Sequence, residues 1–203
     1  MSRFSVIMTV YDKGTELEEH LKDFLTQDYA EGYEVIVVDE SSTDNTDDVL
    51  KLHMQQYPQL YKTFLPKPDR NVTRKKLALT IGIKAAKNEW VIISDIHSYP
   101  PSGTWLSELA ENIDSTSDLY LGYFTKKGTM LKAYEEVDMA EKVIMKAERL
   151  RADGHKGNKM KVLRGKYDFI AVKREKAHDA MSYFEKKIGI WKLLGLRLGV
   201  MFR

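Results

Sequence analysis

The sequence of 203 residues contains no cysteine, so its fold cannot depend on disulfide bonds. It also has no cleavable signal segment and no apolar run near the ~20 residues that a membrane-spanning helix requires. Hydrophobic residues make up 43% of the chain, which is enough for one full core without disulfide or metal cross-links. We therefore predict a single cytoplasmic domain that folds unaided.

The small net charge of +2 conceals a difference between the two ends of the chain. Residues 1–50 contain 3 Lys/Arg and 13 Asp/Glu, whereas residues 151–203 contain 14 Lys/Arg and 5 Asp/Glu. The basic end is suited to nucleic acid, to a phosphate-bearing substrate or to an anionic membrane surface. It is equally well explained as a solvated face that balances the acidic end, so charge alone does not identify a partner.

Strand-like and helix-like patterns alternate in the first half of the chain. A helix with Leu17 and Leu21 on one face follows the first strand, and Thr15 with Glu18 predicts a capping box at its start. The alternation predicts a mostly parallel sheet covered by helices on both faces, a three-layer α/β/α sandwich. The strand-like runs are Phe4 to Val10, Val35 to Val38, Tyr61 to Leu65 and Trp90 to Ser94.

Two of these buried strands end at acidic residues. The run VIVVDESSTDNT closes a strand at Asp39, and EWVIISDIH closes another at Asp95 and His97. In open α/β sheets, ligands bind in the crevice beyond the carboxyl ends of the strands. The two strand ends are therefore predicted to converge on one polar ligand.

These segments resemble a known family. The runs SVIMTVYDKGTELEEHLKDFLTQDY, VIVVDESSTDNTDDVL and RKKLALTIGIKAAKNEWVIISDIH are similar to the nucleotide-sugar-binding half of the family-two glycosyltransferases. The resemblance covers about residues 4–110 and implies a GT-A fold. It divides a single GT-A-like domain into a nucleotide-sugar-binding half (1–110), an acceptor-side half (111–185) and a basic apolar tail (186–203).

The resemblance implies roles for residues in the first half. Thr9, Val10 and Tyr11 would pack against the nucleobase, and Asp39 would accept hydrogen bonds from the base edge or the ribose. A carboxylate acceptor beside an aromatic ring suits a uracil-like base, which implies a uridine diphosphate sugar. Tyr11 is alternatively an ordinary packed loop aromatic.

An arginine and a metal motif complete the implied donor site. Arg74 lies where the family places an arginine near the base or diphosphate, although a Lys/Arg cluster that opens a helix is often solvated surface. Asp95 is expected to contact the nucleotide sugar and, with His97, to hold a divalent cation, where the family has Asp-any-Asp. The imidazole favours manganese over magnesium and could weaken the dependence on metal; alternatively, His97 is structural.

The second half departs from the family pattern. Trp191 and Lys192 stand about where the family has the acidic pair that supplies the general base, and no acid follows Glu185. Asp168, Asp179 and Glu185 are weak substitutes, so no catalytic residue is assigned. The tail 186–203 combines apolar residues with five cations. It is predicted to contact a membrane surface peripherally, to close the sheet as a core helix, or to dock a partner.

Two functional hypotheses follow. The first is a hexosyltransferase that moves a sugar, with inversion, from a nucleotide-diphosphate donor to a glycan or lipid-linked acceptor, as in polysaccharide biosynthesis, without a nucleic-acid partner. The second is a degenerate module that holds a nucleotide sugar, or a partner subunit, and cannot turn over. A nucleotidyltransferase is disfavoured, because YDKGTELEE after the first strand lacks a glycine-rich phosphate loop.

Overall fold

A computed structural model describes residues 2–66, 74–113, 119–122, 124, 168–180 and 198–200. In these parts of the chain, strands and helices alternate from the start, as the sequence pattern predicts. The strands are β1 (Phe4–Val10), β2 (Tyr33–Asp39), β3 (Leu60–Phe64), β4 (Trp90–Ser94), β5 (Leu119–Gly122), β6 (Phe169–Lys173) and β7 (Leu198–Val200). The helices are α1 (Gly14–Leu25), α2 (Thr46–Gln56), α3 (Arg74–Ala85), α4 (Trp105–Asn112) and α5 (Arg174–Ala180).

The strands form one sheet in the order β3-β2-β1-β4-β6-β5-β7. β1 lies between β2 and β4 and is parallel to both, and β3 is parallel to β2. Among the described strands, β6 alone runs in the opposite direction, between β4 and β5. Parallel neighbours require a crossover connection, which α1, α2 and α3 supply. The predicted mostly parallel α/β fold is thereby confirmed.

Both faces of the central strands are buried. On β1, Val6 and Met8 contribute to a core with Leu17 and Leu21 of α1, while Ile7 contributes to a second core. The second core contains Ala78, Leu79 and Ile83 of α3 and Ala177 of α5. Because side chains alternate across a strand, covering both faces requires the nearly continuous apolar runs seen in β1, β2 and β4.

The N-termini of α1 and α2 are joined by one carboxylate. Asp44 accepts the N–H of Gly14 at 2.9 Å through Oδ2 and the N–H of Thr46 at 3.0 Å through Oδ1. In return, the Thr46 hydroxyl accepts the N–H of Lys13 at 3.0 Å. The predicted capping box of Thr15 and Glu18 is wrong, because no side chain of α1 itself caps that helix. A loop distant in sequence supplies the cap instead.

The tail is only partly described. Residues 198–200 form β7 and extend the sheet beside β5, so the prediction of a helix is wrong for these three residues. The remainder of 186–203 lies outside the described residues, and its contact with a membrane surface stays a prediction. Within the described residues, no helix combines the length and hydrophobicity that crossing a membrane requires.

We expect Asp44→Ala to lower the free energy of unfolding by roughly 1–2 kcal/mol, the scale of a lost helix cap. Desolvation raises the pKa of the Asp44 carboxyl, but hydrogen bonds from Thr46 and Gly14 outweigh it and hold the pKa below its ordinary value. A carboxyl with a lowered folded-state pKa stabilises the protein above its unfolded pKa and loses that effect as the pH falls through the folded pKa.

The difference in the free energy of unfolding between Asp44→Ala and the unmodified protein should therefore be constant near neutral pH and shrink below about pH 4. Urea unfolding at several pH values measures it. Glu111→Ala, at an exposed acid of α4, is the control and should change stability by less than about 0.5 kcal/mol. A difference between Asp44→Ala and the unmodified protein that grows on acidification would contradict the assigned role.

Candidate functional site

The carboxyl ends of β1, β2 and β4 lie side by side at one edge of the sheet. Val10 at the end of β1 is in register with Asp39 at the end of β2, and the N–H of Glu40 donates to the Val10 carbonyl at 2.8 Å. Val10 itself is buried in the core, and Thr9 is partly buried. The exposed group at the end of β1 is therefore the next residue, Tyr11, whose exposed fraction is 48%.

Arg74 lies against Tyr11. The Arg74 guanidinium carbon is 4.9 Å from the centroid of the Tyr11 ring, within the range of a cation–π contact. One terminal nitrogen of the guanidinium donates to the carbonyl of Glu40, immediately after β2. Its Nε is buried and has no hydrogen-bond partner among the described residues. A buried donor without a partner is costly, but a ligand acceptor could reach this nitrogen only after the side chain shifts.

Asp39 is held by its own loop through one oxygen. Oδ1 accepts the N–H of Ser42 at 2.9 Å and the hydroxyl of Ser42 at 2.6 Å. No described residue donates to the other oxygen, Oδ2. The carboxylate is thus oriented by Ser42 and retains one acceptor that a ligand N–H or hydroxyl can use.

The loops after β1 and β2 are tied to each other. The Ser42 hydroxyl also accepts the N–H of Asp12 at 2.9 Å, and the Asp12 carboxylate accepts the N–H of Thr43 at 2.6 Å. A Cβ atom added to Gly14 would lie 1.9 Å from Oδ1 of Asn45, so any other residue here would require the exposed Asn45 side chain to turn away. The two loops therefore form one frame around Tyr11 and Asp39.

The predicted metal residues lie just beyond β4. The strand ends at Ser94, so Asp95 and His97 lie beyond its pleat. They lie in a turn in which the Ser98 N–H donates to the Asp95 carbonyl at 2.9 Å. The Asp95 carboxylate accepts the His97 N–H at 3.1 Å, and the imidazole is 55% exposed.

Two residues that the sequence argument did not assign adjoin this turn. Glu16, in the first turn of α1, lies 3.9 Å from Nε2 of His97 and 2.5 Å from Nζ of Lys13. The hydrogen bond between Lys13 and Glu16 raises the pKa of the ammonium, and the charges of Glu16 and Asp95 add to this effect against the opposing desolvation. The same hydrogen bond lowers the pKa of Glu16. Their i, i+3 spacing just after β1 was the available sequence signal.

Asp95 and His97 could supply ligands to a metal ion in this turn, but they are few. Among the described residues, no three His, Asp or Glu side chains are arranged to hold a cation. Asp95 retains an oxygen to which no described residue donates, and His97 presents an exposed imidazole. One oxygen and one nitrogen fit manganese if the remaining ligands come from phosphate oxygens and water.

Of the two described acids that were considered as a general base, Asp168 lies nearer to this edge. It precedes β6, whose first residue, Phe169, is paired with Ser94. Its carboxylate accepts the N–H of Phe124. Asp179 lies on α5, after the other end of β6, where Lys173 pairs with Trp90. Glu185, Trp191 and Lys192 lie outside the described residues.

Comparison with known proteins identifies relatives of this chain. The family model described as Glycosyl transferase family 2 matches residues 5–181. A curated relative from Methanococcus voltae, a dolichyl N-acetyl-α-D-glucosaminyl phosphate 3-β-D-2,3-diacetamido-2,3-dideoxy-β-D-glucuronosyltransferase, is 32% identical over 103 residues. That match covers 49% of this chain and 30% of the relative.

Solved structures share the fold. The mannosyltransferase PcManGT from Pyrobaculum calidifontis, in complex with GDP-Man and Mn²⁺, has a TM-score of 0.60 at 20% identity and covers 98% of this chain and 56% of its own. Residues 1–349 of S. aureus TarS, in complex with UDP-GlcNAc, have a TM-score of 0.63 at 20% identity. The match covers 98% of this chain and 55% of the TarS chain. This chain therefore spans about half the length of these enzymes and has a GT-A glycosyltransferase fold.

Proposed function

The chain belongs to glycosyl transferase family 2, and from this premise we propose that it transfers a hexose from a uridine diphosphate sugar to a glycan or lipid-linked acceptor. The observation that carries the proposal is the frame around Tyr11, Asp39 and Arg74. It offers an aromatic ring with a guanidinium against it and a carboxylate oxygen to which no described residue donates. These are the complements of a planar base with N–H and carbonyl groups.

The choice of uridine rests on Asp39 and on the relatives. A carboxylate accepts hydrogen bonds and donates none when ionised, so it suits the ring N–H of uracil. TarS is solved with UDP-GlcNAc, which supports the same donor class, whereas PcManGT is solved with GDP-Man. The name of the Methanococcus voltae relative supports a lipid-linked acceptor.

At the other side of the site, we propose that Asp95 and His97 hold a divalent cation, with manganese favoured over magnesium. The Mn²⁺ bound to PcManGT supports this assignment. When bound, the cation would neutralise the charge that develops on the leaving nucleoside diphosphate. The protein's own contribution is to orient the diphosphate at the turn after β4, with Arg74 on the side of β1 and β2.

A nucleotide-sugar-binding module without turnover is the second candidate. It is favoured by Trp191 and Lys192, because neither side chain in its usual protonation state accepts a proton from an acceptor hydroxyl. A positioned base contributes ~10²–10⁴ in rate, so its absence would leave binding intact and turnover slow. The two candidates therefore make the same prediction for donor binding and opposite predictions for transfer.

We expect UDP to bind and Asp39→Ala to weaken it by about 1–3 kcal/mol, the cost of leaving a ligand N–H without its acceptor. Calorimetric titration with a panel of nucleoside diphosphates and their sugars measures this. Asp28→Ala, at an exposed acid away from the frame, is the matched control. Equal UDP affinity in the two variants would show that Asp39 does not contact the base. A preference for GDP over UDP would show that the base is guanine and not uracil.

For the metal, we expect manganese to tighten UDP binding to the unmodified protein more than magnesium does. His97→Asp should bring magnesium close to manganese in effect, because an oxygen ligand replaces a nitrogen ligand. Calorimetry with each ion and with chelator tests this expectation. If neither ion changes the affinity, His97 is structural and the motif holds no metal.

For turnover, the binding module predicts slow or absent release of UDP from UDP-sugars in the presence of acceptors, because none of the described acids is placed as the base, whereas the transferase predicts measurable release. For the binding module, Asp168→Asn should leave that rate unchanged. The test is a coupled assay of UDP release, with circular dichroism to confirm folding and Asp179→Asn as the matched control. A measurable transfer that only Asp168→Asn abolishes would identify a relocated base and exclude the binding module.

A further inference from the structure

Lys13 is fixed at the same edge of the sheet as the proposed donor site. It lies three residues beyond the end of β1, and its N–H donates to the Thr46 hydroxyl at 3.0 Å. The next residue, Gly14, is held by Asp44 at 2.9 Å. The main chain of Lys13 is thus anchored on both sides, and its position does not depend on a bound ligand.

The ammonium group of Lys13 lies among the side chains of the proposed metal site. Its Nζ is 2.5 Å from Oε1 of Glu16, and the same oxygen is 3.9 Å from Nε2 of His97. The charge of Asp95 also acts on it. A divalent cation at Asp95 would have this ammonium as a neighbour and would be repelled by it.

A diphosphate entering this site also meets the carboxylates of Glu16 and Asp95, which repel it. An ammonium has three N–H donors, and Glu16 uses one of them. The other two can reach phosphate oxygens while the bond to Glu16 keeps the side chain in place. Lysine acts as a compact point charge in phosphate sites, so it can perform part of the neutralisation that a metal performs.

We propose that Lys13 binds the diphosphate of the nucleotide and that nucleotide binding therefore persists when divalent cations are removed. The inference rests on the proposed function and adds a diphosphate-binding residue that neither the family match nor the resemblance assigns. Manganese at Asp95 and His97 then adds to an affinity that the side chains already provide. Lys13 is a binding residue in this proposal, and Glu16 is a positioning residue that orients it.

The test is titration of UDP and of uridine in chelator, with the unmodified protein, Lys13→Gln and Lys13→Arg. In chelator, UDP should still bind the unmodified protein, and Lys13→Gln should weaken UDP by about tenfold or more while leaving uridine unchanged, because uridine carries no phosphate. Lys13→Arg keeps the positive charge and should retain most of the affinity. Lys22→Gln, at an exposed lysine in the last turn of α1, the helix that Lys13 precedes, should bind UDP like the unmodified protein.

Circular dichroism and thermal unfolding of Lys13→Gln separate a folding defect from a binding defect, and Lys13→Arg keeps the test informative if Lys13→Gln is unstable. Two results would overturn the inference while leaving the proposed function intact. One is UDP binding in chelator that Lys13→Gln does not weaken. The other is UDP binding that requires manganese absolutely. If neither UDP nor uridine binds under any condition, the proposed function fails, and the inference fails with it.

Discussion

The site depends on the contact that joins the N-termini of α1 and α2. A helix N-terminus leaves N–H groups without partners and carries a partial positive charge, so a carboxylate there is stabilising. Asp44 serves both helices at once, and Thr46 returns a bond to Lys13. Because each helix follows a central strand, this contact fixes the loops beyond β1 and β2 relative to each other. Tyr11 and Asp39 take their positions from that frame.

The charges at this edge are arranged in two groups. Arg74 stands over Tyr11 on the side of β1 and β2, whereas Lys13, Glu16, Asp95 and His97 cluster where β4 ends. The first group presents donors and an acceptor of the kind that a base recognises. The second group combines two carboxylates with an ammonium. The ammonium suits an anion, and the carboxylates suit a cation. A nucleoside diphosphate combines a base with a diphosphate, so the proposed donor would use both groups.

Membership of glycosyl transferase family 2 and the GT-A fold are shown for this chain, whereas catalysis is a separate question. The residues of the proposed donor site lie in the first half of the chain, whereas the sheet takes strands from both halves. The family resemblance implies that proton removal from an acceptor would depend on an acid in the second half, where Trp191 and Lys192 stand in place of the expected pair. Asp168 lies near the correct edge, but its carboxylate accepts the Phe124 N–H, which gives it a structural explanation. The proposed donor binding and the proposed transfer therefore rest on different parts of the chain.

The sequence by itself determined the alternation of strands and helices in the first half of the chain and the mostly parallel character of the sheet. The apolar runs of β1, β2 and β4 and the periodic face of α1 are local patterns. Such patterns can be recognised without knowing which other segments they pack against. It also located Tyr11, Asp39, Arg74 and Asp95 at strand or helix ends. Tertiary structure alone decided the capping of α1 by Asp44, the turn that holds Asp95 and His97, and the meeting of Lys13, Glu16 and His97. Each of these joins residues that are far apart in the chain or depends on a side-chain direction, and hydrophobic periodicity encodes neither property.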